Sequence, residues 1–131
     1  MRIKRAPAER RTSSDGIVFD SLSELKRWEE LRLLERAGKI SELRRQVAFP
    51  LEINGRPVVI RSPGYPAGRR CKYRPDFTYY DTQFPDVLTV EEHKGVWTDA
   101  ARIRVAVAEA IYQFRVLFTG PAVMVKRRGK K

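Results

Sequence analysis

An α/β fold of the α+β type is predicted by three observations. Two stretches space their apolar residues at helical intervals, several shorter ones alternate apolar and polar residues, and Gly, Pro and Asn mark the turns between them. In order the elements read α-β-β-β-β-α-β, a mixed sheet flanked by helices. The 131 residues are 42% hydrophobic and 10% aromatic, which suits one compact domain with a modest core.

Residues 1–16 read as a flexible basic arm that ends in the cluster Thr12-Ser13-Ser14-Asp15-Gly16. Ser21-Leu22-Ser23-Glu24 fits a capping box with Ser21 as N-cap. Leu22, Leu25, Trp28, Leu31 and Leu34 follow at helical spacing and Gly38 offers a stop, so a helix is predicted over 22–37. Val47, Phe49, Leu51 and Ile53 alternate with polar or small residues, Asn54-Gly55 signals a hairpin, and 58–60 return. Pro50 and Pro57 place these strands at edges or bulges. Residues 61–70, with two prolines, two glycines and three arginines, read as a loop. A third strand is expected over 71–80 and a fourth over 87–93. Thr98 caps a second helix over about 99–113, with Ile103, Val107, Ala110 and Phe114 as its buried stripe. Residues 116–118 form a short strand, 122–125 offer an extension of the sheet, and 126–131 are a basic tail. The domain proper spans 17–125.

The net charge is +11, from 27 Lys and Arg against 16 Asp and Glu. The two tails hold +9 of it and residues 12–125 only +2. Basic tails on a nearly balanced body point to a polyanion, because each paired phosphate releases counterions. Neither tail is an amphipathic helix, and no apolar run is long enough to span a bilayer, so no membrane partner is expected. The charged N-terminus lacks the apolar segment of a secretory signal, which leads to the expectation of a cytoplasmic protein. One cysteine, Cys71, and one histidine, His93, exclude an internal disulfide and a self-contained zinc site. Cys71 reads as a reduced packing residue. Trp28 and Trp97 read as core and site-rim residues rather than platforms for bases.

Two consecutive strands carry acids that a core strand does not need. Asp76 lies in Tyr73-Arg74-Pro75-Asp76-Phe77, and Leu88, Val90, Glu92 and Lys94 share one face of the next strand. A hairpin between these strands brings Asp76 towards Glu92. Adjacent carboxylates repel unless a cation joins them, and hard oxygen donors suit Mg²⁺, with Mn²⁺ as a substitute. Lys94 on the same face can orient a water or offset charge on a phosphate. Metal-dependent phosphodiester hydrolysis needs those parts. The plainer alternative is an edge salt bridge between Glu92 and Lys94, with Asp76 in a strand-end turn. Strand parity puts Glu91 and the His93 side chain on the opposite face. Arg69, Arg70, Lys72 and Arg74 stand beside the site as DNA contacts, with Lys4, Arg5, Lys126, Arg127 and Arg128 of the tails as secondary clamps.

Asp76, preceded by Pro75, and then Glu92-His93-Lys94 resemble the bipartite motif of the PD-(D/E)XK nuclease superfamily. The wider pattern is Phe19-Asp20-Ser21-x-x-Glu24, Leu43-x-x-Gln46-Val47-x-Phe49, Asp76-Phe77 and Glu92-x-Lys94-Gly95-x-x-Thr98. It is similar to small phage nucleases related to archaeal-type Holliday junction resolvases, over roughly residues 19–119. The resemblance implies a restriction-endonuclease-like αβββαβ core and a Mg²⁺-dependent endonuclease of DNA recombination and repair. Asp76 and Glu92 would be metal ligands, with the backbone carbonyl of His93 as a further donor. It also implies Glu24 as an acidic residue of the first helix, although a capping-box glutamate needs no other purpose. Lys94 would be catalytic, and Gln46 and Thr98 accessory. The implied substrate is a four-way junction, nicked symmetrically by a homodimer. A nickase, a transposon-end or restriction-like nuclease, and a non-catalytic DNA-binding module are the alternatives.

Overall fold

Ser21 opens the first helix as its sequence predicts. Its side chain accepts the backbone N–H of Glu24 at 3.1 Å, which satisfies one of the orphan donors of the first turn. The computed structural model describes residues 5–121. A 3-10 turn (Ala8–Arg11) precedes helix α1 (Leu22–Arg36) and strand β1 (Ile40–Arg45). Six short strands follow: β2 (Phe49–Pro50), β3 (Glu52–Ile53), β4 (Arg56–Pro57), β5 (Val59–Ser62), β6 (Tyr65–Arg70) and β7 (Lys72–Tyr73). Strands β8 (Phe77–Asp81) and β9 (Phe84–His93), helix α2 (Asp99–Tyr112) and strand β10 (Val116–Thr119) complete the chain.

The central sheet has the order β1-β8-β9-β10. Strands β1, β8 and β9 run antiparallel, and β10 lies parallel to β9 with α2 as the crossover that parallel neighbours require. The protein is therefore an α+β fold whose core order is α-β-β-β-α-β. Helix α1 packs Trp28 and Leu31 against Phe19, Ile40, Phe77 and Tyr79 on one face of the sheet. Helix α2 packs Val105 and Ala108 against Leu51, Tyr73, Val90 and Val116 on the other. No helix among the described residues is long and apolar enough to cross a membrane.

Several elements differ from the sequence reading. The first core strand is β1, which no periodicity announced. A bulge between Ser41 and Arg44, with Glu42 at φ 53°, leaves Ile40 and Leu43 three residues apart and breaks the alternation. The Asn54-Gly55 hairpin forms, with both residues at positive φ, but outside the central sheet. Residues 61–70 are no loop: β5 and β6 form a second hairpin, with Val59 opposite Arg70 and Ile60 opposite Arg69. Gly68 is needed there, because a Cβ would lie 2.6 Å from Cγ1 of Val59. Pro75 splits the expected strand 71–80 into β7 and β8. The buried stripe of α2 is Val105 and Ala108, flanked by half-buried Ala101 and Ile111. Ile103 is 63% exposed, since a helix so rich in Ala and Val does not fix its own inward face.

The flexible arm expected over 1–16 does not describe residues 5–16. Thr12 bridges to Val18, Arg11 donates to the carbonyl of Phe19, and the Trp28 indole N–H donates to Asp15 at 3.3 Å. The side chains of Arg11 and Trp28 thus tie this segment to the domain. The residues 122–125 expected to extend the sheet, and the tail 126–131, lie outside the described residues.

A buried ion pair joins α1 to the sheet. Arg27 grips Glu91 in a two-pronged contact, Nε to Oε2 at 2.7 Å and Nη2 to Oε1 at 2.9 Å. Tyr79 donates to Oε1 at 2.7 Å and Thr119 to Oε2 at 2.8 Å, so α1, β8, β9 and β10 meet at one carboxylate. Burial pushes the Glu91 carboxyl up, but the bonds from Arg27, Tyr79 and Thr119 outweigh it and hold the group below its ordinary value near 4.5. Arg27→Ala leaves that buried carboxylate without its cation, a loss that typically costs about 3–5 kcal/mol. Denaturant unfolding at neutral pH should show a loss of that order, and Arg27→Lys a smaller one. The contribution is present above the ordinary carboxylate value and disappears as pH falls through the depressed one, so wild type and variant should converge in acid.

Candidate functional site

Alternation along the end of β9 sends consecutive side chains to opposite faces. Glu91 and His93 point towards α1, whereas Val90 and Glu92 face the side covered by α2. Glu92 is only 2% exposed. Its Oε1 accepts the Tyr73 hydroxyl at 3.3 Å and its Oε2 lies 3.4 Å from the Lys94 ammonium. The salt bridge that the sequence offered as the plainer reading is thus present, in a buried setting rather than at an exposed edge.

Asp76 sits in the bend between β7 and β8, just after buried Pro75. Its Oδ2 accepts the backbone N–H of His93 at 2.7 Å, which brings it beside Glu92 across the β8–β9 hairpin. The His93 ring is held by Ser23 at 2.7 Å and Thr119 at 2.9 Å. Since the Thr119 hydroxyl donates to Glu91, it accepts from Nδ1, and the Nε2 of neutral His93 accepts from Ser23. Glu24 lies buried in the first turn of α1.

The three carboxyls are coupled. Burial, then the charges of Asp76 and Asp20, push Glu24 up to about 7 against the pull of Arg45 and Lys94. Burial and the charge of Asp76 push Glu92 up to about 7, against Lys94 and the Tyr73 hydroxyl. Burial likewise raises Asp76, opposed by the His93 amide and by Lys94. The contrast with Glu91, the preceding residue on the same strand, is one of compensation: Glu91 has a guanidinium and two hydroxyls, whereas Glu92 has one ammonium and one hydroxyl. A divalent cation would relieve the repulsion among Glu24, Asp76 and Glu92, and their hard oxygens suit Mg²⁺. Among the described residues no group of three or more His, Cys, Asp or Glu side chains already stands in a metal-holding arrangement.

Beside Glu92 and Lys94 opens a cleft of about 600 Å³. Its walls carry Arg69, Arg70, Lys72, Arg74, Lys94 and Arg104, against a single carboxylate, Glu92. The four cations expected from sequence are therefore brought together at the site. Arg104 was not foreseen: α2 supplies it, and without its inward face known nothing placed it near β6 and β7. Tyr73 and Gly120 were also missed. A Cβ on Gly120, at φ 102°, would lie 2.7 Å from the Lys94 carbonyl oxygen, so only glycine lets the chain pass so close to that lysine.

The remaining candidates fall elsewhere. Glu24 and Asp76 do not line the cleft. Gln46 exposes its side chain and contributes its backbone N–H to the Asp76 carbonyl at 3.2 Å. Thr98 caps α2 through the Ala101 N–H at 3.1 Å. Arg5 stands exposed, 3.5 Å from Asp20. Lys4, Lys126, Arg127 and Arg128 lie outside the described residues.

A family model described as "Protein of unknown function (DUF1064)" matches residues 6–119. The chain belongs to that family. The matched span takes in α1, the whole sheet and the residues of the cleft, and Gly120 lies one residue beyond it. No curated protein and no solved structure matches the chain.

Raised carboxyls have a consequence for stability. A group shifted from about 4.5 to about 7 on folding contributes fully below the lower value, and that contribution is lost as pH rises through the upper one. Without divalent cations, Glu92→Gln should therefore gain stability over wild type at pH 8, on the order of 1–3 kcal/mol. The difference should shrink towards pH 4, as measured by denaturant unfolding across that range.

Proposed function

We propose that this protein is a Mg²⁺-dependent, structure-specific DNA endonuclease that nicks four-way junctions. The observation that carries the reading is the meeting of two parts. Under-compensated buried carboxyls, Asp76 and Glu92, stand side by side; Glu92 lines a cleft with six cations, and Lys94 belongs to both. A pure anion-binding site has no use for buried acids, which repel its ligand. A purely structural sheet has no use for buried carboxyls held above their ordinary range.

A divalent cation bound by Asp76 and Glu92, with Glu24 and the His93 carbonyl nearby, would polarise the phosphodiester and lower the pKa of water. The chain's own residues do the rest. Tyr73 and Lys94 hold Glu92 in one orientation, and the His93 amide does the same for Asp76. The Lys94 side chain is 37% exposed, so its ammonium can reach a phosphate in the cleft and offset charge that builds during cleavage. Arg69, Arg70, Lys72, Arg74 and Arg104 hold the flanking backbone without reading sequence. One chain carries one such site. Symmetric nicking of two opposed strands therefore requires a homodimer with its sites related by a two-fold axis.

The test uses an end-labelled immobile four-way junction, a fork and a linear duplex, each with Mg²⁺, with Mn²⁺ and with EDTA. Paired symmetric nicks in the junction are expected with either metal and none with EDTA. Asp76→Asn and Lys94→Ala should each lower the rate by about 10²-fold or more. Equal cutting of linear duplex would remove the junction from the assignment. Tight binding with no cutting under either metal would leave a DNA-binding module.

A further inference from the structure

The cleft beside Glu92 and Lys94 is more than a cationic surface. Trp97, Tyr73, Ile60 and Val105 line it together with the cations, so apolar walls stand between the charges. Phosphates gain nothing from such walls, and a duplex keeps its bases stacked on one another. A volume of about 600 Å³, within the about 300–1,000 Å³ of small-ligand sites, gives this open cleft room for a single nucleotide. Trp97 is half-buried and stands perpendicular to Phe118, ring centres 5.2 Å apart, which fixes its indole in the wall.

We propose that this cleft takes an unpaired nucleotide of a DNA strand. Its base lies against Trp97, and its flanking phosphates meet the cations of β6, β7 and α2. The assignment rests on the nuclease reading only for the choice of DNA as the polyanion. Single-strand sites of this kind combine a basic track with aromatic faces, because every base offers a π-face once it leaves the duplex. Branched DNA supplies such nucleotides when a base pair opens where its arms meet. Trp97, read from sequence as a rim residue rather than a platform for bases, is on this proposal both, and is the surface that distinguishes an open strand from a closed one.

The experiment measures binding by the full chain in EDTA, in an Asp76→Asn background, so that no cleavage is needed. Three ligands of equal length are compared: oligo-dT, an abasic strand, and a duplex. The chain has two tryptophans and Trp28 is only 7% exposed in the α1 core, so fluorescence quenching reports on Trp97. Oligo-dT should bind more tightly than the abasic strand and quench. Trp97→Ala should weaken oligo-dT about tenfold and leave the abasic strand unchanged, while Trp97→Phe retains most of the affinity. Arg104→Ala, an exposed change on α2, should weaken both single strands and reduce the salt slope by about one phosphate.

Equal binding of oligo-dT and abasic strand, or an equal loss of all three ligands in Trp97→Ala, would overturn the proposal. An Arg104→Ala protein that binds like its parent would overturn the cleft as the location. Metal-dependent cutting by the wild type with no preference for unpaired bases would overturn this inference alone. Stacking without any cutting would overturn the nuclease reading alone.

Discussion

The Arg27–Glu91 pair sets what the rest of the sheet can do. It sits where α1 crosses the end of β9, with Glu91 wholly buried and bonded from α1, β8 and β10. A one-residue slip of β9 would exchange the faces of Glu91 and Glu92 and put an unpaired carboxylate against α1. The two-pronged contact with Arg27 therefore fixes register as well as position. Glu92 then has no choice but to face the α2 side, beside Tyr73 and the cleft. Thr119 extends the same network to His93 and Ser23, and the His93 amide holds Asp76. A buried ion pair is weak evidence for stability in general. Here its product is the aim of two neighbouring acids.

The core and the segment between β1 and β8 divide the chemistry between them. The core supplies the acids: Glu24 from α1, Asp76 before β8 and Glu92 on β9. The intervening hairpins supply most of the cations, as Arg69, Arg70, Lys72 and Arg74. The chain leaves the sheet at Gln46, which takes a positive φ of 51°, and returns at Asp76, and the two residues are joined by the Gln46 N–H to Asp76 carbonyl bond. Gln46 thus works through its backbone at the base of the excursion. Tyr112 donates to the Pro50 carbonyl, and Phe49 packs on Tyr112 and Phe114, so α2 braces the same segment from the far side.

Much of this was legible in the sequence because its signals are local. The Ser21–Glu24 cap, the Asn54-Gly55 turn and the Thr98 cap each depend on a few adjacent residues, and each forms. The opposite faces of Glu91 and Glu92 follow from the two-residue period alone. What was not legible depends on partners far along the chain. Strand β1 is a strand because β8 accepts it, bulge and all, and its Ile40-x-x-Leu43 spacing says nothing of that. The β5–β6 hairpin hides under Pro63, Gly64, Pro66 and Gly68, residues that also build loops. The coupling of Glu24 to Asp76 is a matter of three dimensions; from sequence, Glu24 was explained by its cap. Arg104 was invisible because α2 is apolar on more than one side.

The site is built against its own folded state. Two carboxyls near 7 and a raised Asp76 mean that folding concentrates negative charge which Arg45 and Lys94 do not balance. The neighbouring cleft does not repair this, since among its cations only Lys94 forms an ion pair with one of these acids among the described residues. Both imbalances are of a kind that a ligand removes: a cation among the carboxyls, a polyanion along the cleft. On the proposed reading each ligand would favour the other, because a phosphate brought to Lys94 would draw that ammonium from Glu92 and leave the carboxylate freer to take a cation. The Glu92–Lys94 contact at 3.4 Å is therefore the hinge between the two halves. Strain of this sort persists only where the surrounding structure over-determines it. The Arg27–Glu91 anchor, one residue away, provides that determination.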